Sequence, residues 1–230
     1  MSGYDVLSFD LDRTLCRYRR PGAELLEDAF DTLDIEPFIT MVEYSARFDE
    51  FAEDSPDVET LRLRTFRAIA DDKDVDRSLA DQVTRFYNEH RDPAGVEPMP
   101  GAIEVVEQTA THHRLALITN GFAPVQAAKV EALGIEGLFD IVVYAGTDTA
   151  FKPDPEPFDH VTATLGVPVE RAVHIGDSLD HDVLGAKQAG LAAVWIEQAW
   201  SMPSTRDVRP DYIVRSIDEL LPYPWAVDSP

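Results

Sequence analysis

The sequence predicts an α/β fold: a parallel sheet covered by helices on both faces, with an all-helical module inserted after the first strand. Three observations predict it. Short apolar runs alternate with amphipathic segments over much of the chain. The stretch from 17 to 96 breaks that alternation. Polar residues capable of chemistry stand directly after several of the apolar runs.

The first apolar run is YDVLSF (4–9), followed by RLALIT (114–119), DIVVYA (140–145), RAVHIG (171–176), LAAVWI (191–196) and DYIVR (211–215). Each is apolar on successive positions, as a strand buried on both faces of a parallel sheet must be. Helical segments separate most of them, at 101–111, 123–133, 155–165 and 180–189. In the last, Val183, Leu184, Ala186 and Ala189 recur at helical spacing before a stop at Gly190. Strand and helix in alternation give an open, doubly wound, Rossmann-like core.

Between 17 and 96 no strand-like run occurs. Leu25, Leu26, Ala29, Phe30 and Leu33 form one helical stripe, and further amphipathic stretches run through 38–52, 57–70 and 75–91. Pro21 and Pro37 sit near helix starts, and DPAGVEPMPG (92–101) reads as a linker. The expected organisation is a core formed by 1–16 and 97–230, with a helical domain over 17–96. An insertion there overhangs the carboxyl end of the first strand, where open α/β sheets bind ligands, so it is expected to act as a cap.

Forty-three acidic residues face 20 basic ones, a formal net charge of −23. Such a field repels nucleic acid and anionic membranes. Only four of the basic residues are lysines: Lys73, Lys129, Lys152 and Lys187. At 44 % hydrophobic the chain is not a disordered one. Its acid-rich, lysine-poor composition resembles that of halophilic archaeal proteins, in which molar salt shrinks the Debye length to roughly 3 Å and quiets surface repulsion. No apolar run is long enough to span a membrane, and the N-terminus lacks the pattern of a secretion signal. The single cysteine, Cys16, fits a reducing compartment. The expectation is a cytoplasmic protein in high ionic strength, monomeric by default with a dimer as the alternative.

Four stretches at strand ends carry chemistry. Asp10 and Asp12 follow the first strand, where two neighbouring carboxylates repel unless a cation or a proton lies between them. Thr119 and Asn120 end the second, Lys152 lies in the loop after the third, and Asp177, Ser178, Asp180 and Asp182 follow the fourth. Parallel strands bring all of these to one sheet edge. Lys152 stands out because the composition disfavours lysine, and a compact ammonium meeting a carboxylate or phosphate supplies a reason for it. GxGxxG and GxxxxGK[ST] are both absent, which argues against a nucleotide-binding fold of those types. His174 lies on a central strand without metal-ligand partners in sequence and reads as a satisfied core histidine.

In this order and spacing FDLDRTL, ITNG, KPDPEPF and GDSLDHDVLGAKQAG resemble the four motifs of the haloacid dehalogenase-like hydrolase superfamily, and the insertion resembles the helical cap of its phosphatase-rich branch. The resemblance spans 4–215. It implies that Asp10 is a nucleophile forming an aspartyl-phosphate, with Asp12 as general acid and base. Magnesium would be held by the Asp10 and Asp177 side chains and the Asp12 backbone carbonyl. It further implies a phosphoryl contact from Thr119, with the Asn120 backbone beside it, and charge balance from Lys152. Asp182 would hold Lys152 or a metal-bound water, while Ser178 would orient Asp177 or cap the helix. Thr14 would bond within its loop, and Arg13 occupies a position where glycine is common. The second aspartate favours hydrolysis of a small phosphate monoester over cleavage of a carbon–halogen bond. A phosphomutase, a 2-haloacid dehalogenase or a non-catalytic acidic interaction protein are the alternatives. Phosphoglycolate, sugar phosphates and nucleoside monophosphates all remain open as substrates.

Overall fold

A computed structural model describes residues 3–198, 204 and 207–221. The chain divides into two compact units, one comprising Met1–Arg17 with Glu97–Pro230 and the other Tyr18–Val96. The tail LLPYPWAVDSP (220–230) has apolar residues that could cover a core edge or a partner, but beyond residue 221 it lies outside the described residues.

The first unit is built on a six-stranded sheet. Its strands are Val6–Phe9 (β1), Arg114–Asn120 (β4), Ile141–Ala145 (β5), Ala172–Gly176 (β6), Ala192–Ile196 (β7) and Tyr212–Val214 (β8), each within the stretch expected from its apolar run except β4, which runs one residue further. Their spatial order is β5-β4-β1-β6-β7-β8, and every pairing is parallel. All four residues of β1 and all five of β6 are buried, so both faces of the sheet centre are covered. Because β4 and β6 flank β1 on opposite sides, strand order reverses at β1. Connections leaving a strand in opposite directions open a crevice beyond its carboxyl end.

Helices Ala102–Thr109 (α6), Ala123–Leu133 (α7), Glu156–Leu165 (α8) and Leu184–Gln188 (α9) fill the connections. Phe158, Val161 and Leu165 of α8 and Ala186 of α9 pack with Val6, Ile118, Val143 and Ala193 from four strands. The helix expected over 180–189 instead begins as one π-type turn, Leu179–Val183, before α9. Ser178 O accepts from the N–H groups of both Asp182 and Val183, at 3.0 and 3.1 Å. The wider turn inserts one residue, and such insertions recur at functional sites because they re-aim a side chain.

The second unit is helical: Gly22–Leu33 (α1), Met41–Arg47 (α2), Asp49–Ala52 (α3), Val58–Asp72 (α4) and Arg77–His90 (α5). Leu25, Leu26, Ala29 and Phe30 of α1 bury against Phe66, Ile69 and Ala70 of α4 and Ala80, Val83 and Tyr87 of α5. Thr40 and Glu43 close a reciprocal capping box at α2, and Asp57 and Asp76 cap α4 and α5. Each cap satisfies a donor that the first turn leaves without an intrahelical partner.

One expectation is corrected. Cys16–Tyr18 (β2) and Val96–Pro98 (β3) pair as a two-stranded sheet, although no strand was read near either place. Three-residue strands are too short to impose a hydrophobic period.

Candidate active site

Every strand-end residue singled out in the sequence belongs to the first unit, and the parallel register brings them to the carboxyl edge of the sheet. Asp10 follows β1 directly, its backbone N–H donating to Ile175 O of β6 at 2.9 Å. Beyond it the chain makes a closed loop in which Leu15 and Cys16 both donate to Leu11 O. Arg13 takes a left-handed φ of 64° in that loop. Glycine adopts this conformation without the steric penalty that a Cβ brings, a penalty arginine bears here. Thr14 is fully buried, but its hydroxyl has no partner among the described residues, so the loop bond expected of it is absent.

Lys152 is the hub. Its ammonium lies 2.8 Å from Asp10 Oδ1, 2.7 Å from Asp182 Oδ1 and 2.8 Å from Ile118 O, with the side chain 1 % exposed. An ammonium has three hydrogens, and all three are used. Asn120 fixes the lysine from behind: its Oδ1 accepts from Lys152 N at 2.8 Å and its Nδ2 donates to Lys152 O at 2.9 Å. The side chain of Asn120 thus positions the lysine loop, a role its strand-end location did not reveal.

Asp182 receives from Lys152, from His174 and from the Ser178 N–H, the last at 2.9 Å on Oδ2. Burial alone would raise its carboxyl, but the Lys152 charge and the His174 hydrogen bond hold it far below the ordinary range. Burial pushes the His174 imidazole down, so it is neutral. His174 therefore donates from Nε2 to ionised Asp182 at 3.2 Å, and the Ser8 hydroxyl, 2.9 Å from Nδ1, supplies the complementary bond. The core histidine is satisfied, and one of its partners belongs to the site. Ser178 caps the π-type turn through the His181 N–H rather than orienting Asp177.

Asp10, Asp177 and Asp182 each offer a carboxylate oxygen within 4.8 Å of the others. The Asp177 side chain accepts no hydrogen bond among the described residues, although its backbone O takes the Trp195 indole N–H at 2.9 Å. Burial, then repulsion from Asp10 and Asp182, drives the Asp177 carboxyl well above its ordinary value. Burial is also the main reason that Asp10 is pushed up to about 6, against the pull of Lys152. With Asp12 counted, four buried or half-buried carboxylates face the ammonium groups of Lys152 and Lys129, a surplus of two negative charges. An all-oxygen donor set with that surplus fits a hard divalent cation such as magnesium. Thr119, at the end of β4, is 1 % exposed, and its hydroxyl has no partner among the described residues. A buried hydroxyl left without a partner costs stability and is suited to an incoming acceptor.

Asp12 points to a pair that was not singled out from sequence. Lys129 Nζ lies 2.8 and 2.6 Å from its two carboxylate oxygens, and Gln126 Nε2 lies 3.1 Å from Oδ2. Burial would raise Asp12, but Lys129 and Gln126 outweigh it and leave the carboxyl below its usual value. The signal was available: Lys129 is one of only four lysines, and it shares a helical stripe with apolar Val130 and with Gln126. Of the basic residues near the loop, Arg17 pairs with Glu97 and Arg20 with Asp28.

Residues 4–190 match the model of a family described as haloacid dehalogenase-like hydrolase. N-acylneuraminate-9-phosphatase of Rattus norvegicus is 40 % identical over 108 residues, 46 % of this chain and 44 % of that protein. Phosphoserine phosphatase of Thermus thermophilus is 35 % identical over 106 residues, covering 46 % and 42 %. The chain thus spans less than half the length of these curated relatives. Over nearly full length, a HAD-hydrolase YfnB structure from Bacillus subtilis bound to magnesium superposes with a TM-score of 0.71 at 23 % identity, covering 96 % of this chain and 98 % of that one. The strand-end motifs, the parallel sheet that gathers them and the match over most of the length agree: this chain belongs to the haloacid dehalogenase-like hydrolase family.

Proposed function

We propose that the protein is a magnesium-dependent hydrolase of small phosphate monoesters, acting through a phosphoryl group carried on Asp10. The observation that carries this reading is the buried Asp10–Lys152–Asp182 array beside an unneutralised Asp177, with the unpartnered Thr119 hydroxyl at the adjoining strand end. The phosphatases among its relatives support it.

An Asp10 oxygen attacks phosphorus while the ester P–O bond breaks. The electron pair leaves on the ester oxygen, which takes a proton from Asp12. Because Lys129 and Gln126 hold Asp12 ionised in the free protein, that proton first comes to it from the monoanionic form of the phosphate ester. Water then attacks the phosphoryl group, giving its proton to Asp12 as the Asp10–phosphorus bond breaks and the carboxylate is restored. Lys152 and the Thr119 hydroxyl offset the charge on the phosphoryl oxygens. Asp10 and Asp177 would hold the magnesium with the Asp12 backbone carbonyl, and the ion supplies further neutralisation of the transferring group.

The helical unit, inserted where β1 ends, serves in this reading as a cap selecting the organic part of the substrate. Its residues Tyr18, Tyr44, Phe48 and Phe51 are candidates for that role. Arg47, also a candidate by position, is engaged by Glu50 and Asp72. The acid-rich surface suits molar salt, so the melting temperature is expected to rise as KCl is raised from about 0.1 M to about 2 M.

The test is phosphate release from p-nitrophenyl phosphate and a panel of natural esters in molar KCl, for the wild type beside Asp10→Asn. Release that is lost with chelator and in the variant supports the reading. Halide release independent of magnesium would point to a dehalogenase, and phosphate moved between hydroxyls of a sugar without release to a mutase. Folded protein inactive on every ester, which fails to bind magnesium with a phosphoryl-mimicking fluoride, overturns it.

A further inference from the structure

Asp12 is the one carboxylate of the site whose partners come from a helix rather than from the strand-end loops. Lys129 and Gln126 lie three residues apart on α7, so their side chains share one face. Both are buried, at 3 % and 4 % exposure, while the Asp12 side chain is 37 % exposed. Gln126 Nε2 also donates to Asn120 O at 2.6 Å, so its amide spans the end of β4 and the Asp12 carboxylate. Gly121, at a φ of 137°, lets that amide approach: a Cβ there would stand 2.7 Å from Gln126 Nε2.

Stability does not explain this arrangement. Burying an ammonium costs several kcal/mol, and apolar replacements of buried ion pairs are often neutral or stabilising. What the pair accomplishes is orientation. Two donors reach both oxygens of one carboxylate from a rigid helix, and its rotation is thereby restricted.

Resting on the hydrolase reading above, we propose that Lys129 and Gln126 are positioning residues that hold the Asp12 carboxylate in the rotamer from which it passes a proton to the leaving oxygen. Neither touches the reacting atoms in this assignment. Both act through Asp12, and proton transfer of this kind depends steeply on geometry.

The dependence on leaving group isolates that role. An alkyl ester needs a proton on its oxygen as the P–O bond breaks. A nitrophenyl ester does not, because the ring stabilises the departing electron pair. The experiment compares kcat/KM, which reports steps up to phosphoryl transfer, for p-nitrophenyl phosphate and for the best alkyl phosphate of the panel. For Lys129→Met the expected loss is on the order of 10²-fold with the alkyl ester and less than about threefold with the nitrophenyl ester. In an Asp12→Asn background the same substitution leaves the ratio of the two esters unchanged. Gln126→Met removes the other donor while keeping the ion pair; it shows the same pattern at smaller amplitude and carries the test if Lys129→Met does not fold. Equal losses with both esters, or no loss with either, overturn the assignment while leaving the hydrolase reading intact. A wild type that cleaves neither ester and binds no magnesium with a phosphoryl-mimicking fluoride overturns the hydrolase reading and this assignment with it; one that binds them but cleaves neither ester overturns this assignment alone.

Discussion

Lys152 Nζ bridges Asp10 and Asp182 at 2.8 and 2.7 Å, a single ammonium between two carboxylates in an almost fully buried site. Its third hydrogen goes to Ile118 O, so the geometry suits a compact cation with three divergent donors and not a planar guanidinium. Lys152→Met leaves the two carboxylates uncompensated, and urea unfolding should register a loss of about 3–5 kcal/mol. Lys152→Arg should fail to restore phosphate release even where it restores part of the stability. An arginine variant with near wild-type turnover would contradict this account of the site.

Gly176 ends β6 against the Asp182 carboxylate, and a Cβ added there would stand 2.3 Å from it. Gly176→Ala should therefore displace Asp182 from Lys152, costing about 1–3 kcal/mol by overpacking. Activity is expected to fall much further than the folded fraction. Thermal melting beside kcat for the same preparation separates the two effects.

Magnesium and acidity should oppose each other. The Asp10 carboxyl, raised to about 6 by burial, and the raised Asp177 favour their protonated forms in the folded chain. The Asp10 contribution to the stability of the metal-free protein is present in acid and is lost as pH rises through about 6. A cation needs the ionised forms, so the rise in melting temperature caused by magnesium should grow over the same window. Asp177→Asn removes a carboxyl that ionises only against burial and repulsion; it is expected to raise the melting temperature in chelator at alkaline pH and to abolish the magnesium shift. A magnesium shift that is flat with pH would count against these ligands.

His113 gives a pH response away from that site. Its Nδ1 lies 2.9 Å from the Tyr4 carbonyl, to which it donates, and its buried Nε2 has no partner among the described residues. Burial lowers its affinity for a proton, which would create a charged N–H facing no acceptor. Its contribution to stability is full above the unfolded value of 6.5 and is lost as pH falls through the lower folded value. His113→Gln should flatten the melting temperature between about pH 7 and about pH 5 relative to wild type. An unchanged slope would remove His113 from the account.

The sheet was legible because its strands are buried on both faces. Burial of that kind writes successive apolar residues into the sequence, so VLSF, RLALITN and AVHIG declare themselves locally. Asp10, Asp12, Thr119, Lys152 and Asp177 were legible because strand ends in a parallel sheet share one edge, and because a lysine is conspicuous in this composition. Other features carry no local mark. The strands β2 and β3 are too short for a period. The π-type turn at 179–183 differs from a helix start by one residue's displacement, and Asp182, whose carboxylate meets Lys152, lies within it. The partnership of Asp12 with Lys129, 117 residues apart, exists only once β1 and α7 are packed on the same sheet edge. Sequence by itself determined the strands of the six-stranded sheet, the helical insertion and the residue types at the site, since each follows from short-range periodicity and composition. Tertiary structure alone decided which charges meet, because desolvation and ion pairing depend on distances that no local pattern encodes.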